Sequence, residues 1–243
     1  MNAVHAVGDP VVLLRRVADA GACARWAAAA DRGIADGLAA RLAADDWSAS
    51  SSSLRVGAAA IDFDAIRSVV WRDPLRSACV AALGARVACN LDQCWLRRQY
   101  APANAPPRHR PHAWHQDGAL GFDFGADTAP EALAGGLLEM LTCWIALVPC
   151  GVDAPGLELV VEPQERVLAL LELEAERMHE RHPATSLRRP ALATGDALLF
   201  AGGIVHRTHV SPAMAHDRTS LELRFFAAER IPDRLAADRF TLL

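Results

Sequence analysis

A histidine and an aspartate stand two positions apart in the stretch AWHQDGAL, residues 113–120. Side chains two positions apart on an extended segment point to the same face, so His115 and Asp117 could present an imidazole and a carboxylate to one metal ion. Alone, such a pair also occurs by chance where a loop enters a strand. A three-point metal site needs a further ligand, and the best candidate is His206, in FAGGIVHRTHV on a predicted late strand.

Two histidines and one carboxylate bound on one face of iron leave positions open, the arrangement of non-haem Fe(II) oxygenases. Such iron needs a two-electron co-reductant, commonly 2-oxoglutarate, and an arginine offers the bidentate fork that binds its far carboxylate. Arg218 follows His206 by 12 residues and Arg224 by 18. Alternation puts both arginines on one face of the last predicted strand, together with Ser220 and Glu222, so position along the barrel decides between them.

Two further histidines are weaker candidates for ligands. His112 precedes the predicted strand and is expected in a loop, and His209 is an odd number of positions from His206, so it should face the opposite way. The cysteines form no CxxC pair and no zinc-ribbon spacing, which favours buried, reduced side chains; they are Cys23, Cys79, Cys89, Cys94, Cys143 and Cys150. Cys143 should face away from its neighbour Trp144.

The elements that must position these residues are helices first and short strands afterwards. Helices are predicted over 19–43, 73–87 and 164–182, and strands over 11–17, 88–101, 138–149, 155–163, 195–210 (two strands) and 218–228. No regular alternation of strand and helix appears, which disfavours a parallel sheet. The expected fold is mainly β with flanking helices, a double-stranded β-helix (jelly roll, cupin-like). One domain over 1–243 is expected, with a helical cover at about 18–87 and a jelly-roll core at about 88–228.

Composition excludes several classes of protein. Apolar residues make up 52% and charged residues 22% of the 243 residues, and the formal net charge is −4, so a basic surface for nucleic acid is not expected. The N-terminus shows no secretory signal, and the longest apolar stretch, LLEMLTCWIALVPCGV, is too short and interrupted to span a bilayer. A cytoplasmic monomer or homodimer that acts on a small molecule, without membrane or nucleic-acid partners, is the expectation.

The order of these motifs resembles the phytanoyl-CoA dioxygenase family of Fe(II)/2-oxoglutarate-dependent oxygenases. The motifs are WHQDG, TCWIALVPC, PGLELV, the distal histidine and DRTSLELRFF, and the match runs from about Val11 to Phe226. The resemblance implies Fe(II) ligation by His115, Asp117 and His206, 2-oxoglutarate bound by Arg218, and O2 as co-reactant. It also places Trp144 in the cosubstrate pocket, with Thr142 and Arg97 as weaker candidates for its wall.

The implied activity is hydroxylation of an unactivated C–H bond of a small metabolite, with release of succinate and CO2. The carboxylate at Asp117 argues against halogenation, since halogenating relatives carry a small residue there. Closing loops are expected at 101–112 and 119–136. GLELVVEPQERV lacks the Ser-His ending common in the family, which leaves the substrate open. Two alternatives stand: a zinc hydrolase with the same three ligands, and a non-catalytic barrel that binds a small ligand.

Overall fold

The computed structural model describes residues 9–43, 55–57, 63–105, 109–125 and 130–243. The helices are α1 (Ala20–Ala43), α2 (Phe63–Val69), α3 (Leu75–Leu83), α4 (Pro130–Gly135) and α5 (Ala175–Arg181). The strands are β1 (Val11–Leu14), β2 (Arg55–Gly57), β3 (Val87–Asn90), β4 (Trp95–Gln99), β5 (His115–Gln116), β6 (Leu141–Ala146), β7 (Gly156–Val160), β8 (Leu187–Arg188), β9 (Ala197–Ala201), β10 (Val205–His209), β11 (Arg218–Ala227) and β12 (Phe240–Leu242).

The strands form two antiparallel sheets. The larger sheet has eight strands. Six of them follow the order β1-β9-β6-β11-β3-β12, and the other two branch from it, because β4 also pairs with β11 and β2 pairs with β4. The smaller sheet has four strands in the order β5-β10-β7-β8. Leucines and aromatic residues of both sheets pack together between them, including Leu157 of β7 and Phe200 of β9. Two antiparallel sheets enclosing a core make a jelly roll, and the predicted fold class is confirmed.

The larger sheet is buried on both faces. On β6, Trp144 and Ala146 face the smaller sheet, whereas Cys143 and Ile145 face the apolar side chains of α1 and α3. This alternation confirms that Cys143 and Trp144 point to opposite sides. The helices therefore shield one face, and the other face is left to line the interior of the barrel.

Residues 88–101 do not form the single strand that their composition predicts. β3 and β4 are separated by a 3-10 turn at Leu91–Gln93. The turn is stabilised by Asn90, whose side-chain oxygen accepts a hydrogen bond from the backbone N–H of Asp92 at 2.9 Å. The break lets β3 and β4 pair with different stretches of β11.

The prediction of a continuous helix over 164–182 is wrong for the first half of that segment. Only a 3-10 turn at Leu170–Leu173 and α5 are helical. The side chain of Gln116 accepts from the backbone N–H of Leu168 at 2.7 Å and donates to the carbonyl of Arg166 at 3.0 Å. These bonds tie the segment to β5 in an extended form and replace the bonds a helix would make.

The remaining differences are smaller. The helix predicted over 73–87 ends at Leu83, because Gly84 has φ +95° and Val87 already begins β3. The sequence patterns missed α2, α4, β2, β8 and β12. The serine-rich stretch SASSSS at residues 48–53, whose composition is typical of a flexible loop, lies outside the described residues. Within the described part of the chain, no helix has the length and apolar character needed to cross a membrane.

Replacing Gly195 by alanine should lower the free energy of unfolding by at least about 2 kcal/mol. Gly195 has φ +83°, and an added Cβ would stand 2.1 Å from the carbonyl oxygen of Ala18. Both the left-handed backbone and the clash oppose a side chain. Gly135→Ala is the control, since nothing lies within 4 Å of its Cβ position. Urea unfolding of the two variants checks this; equal midpoints would contradict the prediction.

Candidate metal centre

The three predicted ligands meet at one end of the smaller sheet. β5 and β10 pair so that His115 and His206 are direct partners. Asp117 comes immediately after β5, as the first residue of a 3-10 turn rather than on the strand. One ligand atom from each of the three residues lies within 4.8 Å of the other two. The next residue, Gly118, has no room for a side chain, because its Cβ position lies 2.9 Å from the carbonyl oxygen of Gly202.

Both histidines are oriented by their own backbone. The Nδ1 atom of His115 lies 2.8 Å from the carbonyl oxygen of Ala113, and that of His206 lies 3.0 Å from the carbonyl oxygen of Ile204. Each Nδ1 therefore donates, which leaves Nε2 with its lone pair for a metal. These Nε2 atoms lie 3.8 and 3.9 Å from the carboxylate oxygens of Asp117. Burial lowers the pKa of both imidazoles, which favours the neutral, ligating form.

Asp117 is buried and held by two side chains of the larger sheet. Thr142 donates a hydrogen bond to Oδ2 at 2.6 Å, and Nη2 of Arg224 lies 3.0 Å from the same oxygen. Burial would raise the pKa of Asp117, but Arg224, the neighbouring histidines and the Thr142 hydroxyl together hold it well below the ordinary value. Thr142 thus contacts the acidic member of the cluster.

Arg218 is fully buried at the start of β11 and lacks a carboxylate partner within the described residues. Its Nη1 donates to the hydroxyl of Ser220 at 2.8 Å, and its guanidinium lies over the ring of Trp144, 4.9 Å from the centroid. Nε and Nη2 are buried and have no hydrogen-bond partner in the part of the chain that the structure describes. Burial lowers the pKa of Arg218 to about 10. A buried cation with free donors is suited to a ligand carboxylate.

A second carboxylate, Glu222, binds side chains around the same cavity. Nε of Arg97 lies 3.1 Å from Oε1, Trp95 donates to Oε2 at 2.7 Å, and Arg224 donates to Oε2 at 3.4 Å. Burial would raise the pKa of Glu222, but Arg97, Arg224 and Arg218 lower it to about 2. Strand alternation had put Glu222 on this face, but its pairing with Arg97 and Trp95 of β4 was not identified from the sequence.

His112 and His209, the two weaker candidates for metal ligands, lie in different surroundings. The ring centroid of His112 is 3.8 Å from that of His115, and Nδ1 of His112 lies 3.0 Å from Nη1 of Arg97. Burial, and then Arg97, lower the pKa of His112 to about 4. His112 therefore stands beside the cluster, from a loop as predicted. His209 is partly exposed and lies outside the cavity lining, as alternation indicated.

All the predicted site residues line one narrow cavity between the sheets. Its lining consists of Arg97, His112, His115, Asp117, Thr142, Trp144, Leu157, His206, Thr208, Arg218, Glu222 and Arg224. The cavity therefore contains two imidazole nitrogens and a carboxylate that could hold a metal ion, and the buried cation Arg218 lines the same space. Of the predicted closing loops, residues 106–108 and 126–129 lie outside the described residues.

Comparison with known proteins points in the same direction. The model of the phytanoyl-CoA dioxygenase family matches residues 9–215. Comparison with curated proteins finds no match.

Several solved structures share the fold. One is the epimerase SnoN in complex with Fe3+, alpha ketoglutarate and nogalamycin RO, 19% identical with a TM-score of 0.59 over 96% of this chain and 94% of that chain. The carbocyclase SnoK from nogalamycin biosynthesis is 16% identical with a TM-score of 0.61 over 97% and 92%. EctD from S. alaskensis, with 2-oxoglutarate and 5-hydroxyectoine, is 16% identical with a TM-score of 0.61 over 91% and 73%.

Proposed function

We propose that this chain, which belongs to the phytanoyl-CoA dioxygenase family, is an Fe(II)- and 2-oxoglutarate-dependent dioxygenase that hydroxylates an unactivated C–H bond of a small molecule. One observation carries the proposal. The cluster of His115, Asp117 and His206 lines the same cavity as the guanidinium of Arg218, whose Nε and Nη2 have no hydrogen-bond partner among the described residues.

The residues fit both groups that the family implies. Two imidazole nitrogens and one carboxylate oxygen form the facial set that binds non-haem Fe(II) and leaves positions open. The free Nε and Nη2 of Arg218 offer donors for the far carboxylate of 2-oxoglutarate. Trp144 supplies an apolar wall, since its ring packs against the Arg218 guanidinium. Arg224 is the weaker anchor because Asp117 and Glu222 already engage it.

The protein's contribution is binding, orientation and exclusion of water. His115, Asp117 and His206 would hold the iron, and Arg218 would fix the cosubstrate from its far end. Iron with 2-oxoglutarate supplies the oxidation: one oxygen atom of O2 enters the substrate and the other enters succinate as CO2 is lost. Closure of loops 101–112 and 119–136 over the bound substrate remains a prediction.

Hydroxylation is the outcome that we favour among those open to this fold. The SnoN, SnoK and EctD structures belong to an epimerase, a carbocyclase and a protein crystallised with a hydroxylated compound, so the fold alone does not fix the reaction. Asp117 supplies the carboxylate ligand that halogenating relatives lack. Cavity walls made largely of polar and charged side chains suit a polar small molecule.

Anaerobic titration of the metal-free protein with Fe(II) and 2-oxoglutarate should produce the visible charge-transfer band of the chelate. Succinate release across a panel of small polar molecules then identifies substrates, and incorporation of isotopically labelled oxygen into the product identifies hydroxylation. A protein that forms no band, and hydrolyses an ester or amide with Zn2+ instead, would be the zinc hydrolase. Iron and 2-oxoglutarate binding with no succinate release under any condition would indicate a non-catalytic barrel.

A further inference from the structure

Arg224 is a buried cation that forms an ion pair with Asp117, one of the predicted iron ligands. It is 2% exposed and lies on β11, opposite Thr142 of β6 in the strand register. Because they are cross-strand neighbours, the two side chains reach the same atom: Thr142 Oγ1 lies 2.6 Å and Arg224 Nη2 3.0 Å from Oδ2 of Asp117. The other carboxylate oxygen, Oδ1, faces Nε2 of His115 at 3.8 Å.

We infer that Arg224 is a positioning residue for the metal ligand Asp117, an inference that rests on the proposed function. The hydrogen bond from Thr142 and the ion pair with Arg224, both at Oδ2, restrict rotation of the carboxylate and present Oδ1 towards Nε2 of His115. Donors to the outer oxygen of a ligating carboxylate orient it and thereby raise metal affinity. Arg224 would thus act on the metal through Asp117 and not by contact with it.

Glu222 compensates the positive charge of Arg224 beside the predicted metal site. An arginine near a divalent ion would by itself repel that ion, and the low dielectric of the interior strengthens the repulsion. Here the same Nη2 of Arg224 that is ion-paired with Asp117 donates to Glu222 Oε2 at 3.4 Å, and Glu222 is 4% exposed. The carboxylate offsets the charge of Arg224 and leaves its donor in place, so the orienting effect outweighs the repulsion.

The test is the affinity of the protein for Co2+, followed by its visible absorption. Arg224→Met keeps an unbranched side chain that fills the inner part of the arginine's volume, and it removes the charge and the donors. We expect Co2+ to bind about 10–100-fold more weakly, with an altered absorption spectrum, because a freed Asp117 changes the coordination of the ion. Arg224→Lys, which keeps one donor and the charge, should recover part of the affinity and the wild-type spectrum.

Arg207→Met is the matched control. Arg207 adjoins His206 in sequence but points to the outer face of β10, where its Nε donates to Glu158 at 2.6 Å. It loses a similar ion pair without touching Asp117, so its Co2+ affinity should stay within about 2-fold of wild type. If Arg224→Met does not fold, Thr142→Val removes the hydrogen bond to the same Oδ2 and should weaken Co2+ binding by about 10-fold.

The outcomes separate this inference from the proposed function. A wild-type protein that binds no Co2+ would overturn the proposed function, and the inference with it. A wild-type protein that binds Co2+, together with an Arg224→Met variant that binds as tightly or more tightly with the same spectrum, would overturn the inference alone.

Discussion

Arg218→Met should weaken 2-oxoglutarate binding by at least about 100-fold, which corresponds to about 2.7 kcal/mol. Arg218 is fully buried and its Nε and Nη2 have no partner in the described part of the chain, so its two free donors are available to the far carboxylate. Losing one partner of a desolvated charge pair costs about 2–5 kcal/mol, a range that includes this value. The measurement is anaerobic titration of the Fe(II)-loaded protein with 2-oxoglutarate, followed by the charge-transfer band.

Arg224→Met decides between the two arginines on β11. With Fe(II) at saturating concentration, this variant should bind 2-oxoglutarate far more tightly than Arg218→Met, because Asp117 and Glu222 already occupy the Arg224 guanidinium. The reverse order of affinities would make Arg224 the anchor. Equal affinity of wild type and Arg218→Met would remove the cosubstrate role from Arg218 altogether.

His206→Ala should lower the affinity for Fe(II) by more than about 100-fold and abolish the charge-transfer band. Loss of a partner that only orients a ligand already costs about 10–100-fold, and His206 would be a ligand itself. Its Nε2 is directed to the cluster by the bond from Nδ1 to the carbonyl oxygen of Ile204. Fe(II) affinity is measured anaerobically by competition with a chelator of known strength.

His209→Ala is the control on the same strand. His209 lies three positions further along β10, outside the lining of the metal cavity. Its removal should leave Fe(II) affinity and the band unchanged. An unaltered affinity in His206→Ala would contradict the proposed ligand set, and a strong loss in His209→Ala would show that the strand as a whole had been disturbed.

The sequence predicted the class of fold and the grouping of His115, Asp117 and His206, whose ligand atoms lie within 4.8 Å of one another; their role as metal ligands stays a prediction. Alternation placed His206 inward and His209 outward, and it grouped Arg218, Ser220, Glu222 and Arg224 on one face of β11. The direction of these side chains depends only on the two-residue period of a strand, which can be counted along the sequence. The order of short strands after a helical start likewise indicated a jelly roll without further information.

Tertiary structure decided everything that depends on a partner far away in the chain. The extended form of residues 164–169 depends on Gln116, which precedes them by about fifty positions and competes with helical hydrogen bonds. Likewise, Arg218 and Arg224 are equivalent in the sequence pattern, and only the packing of β6 and of the turn after β5 gives Arg224 the carboxylate of Asp117 and leaves Arg218 free. Side-chain direction is thus set by local geometry, whereas the pairing of buried charges is set by which strands the fold brings together.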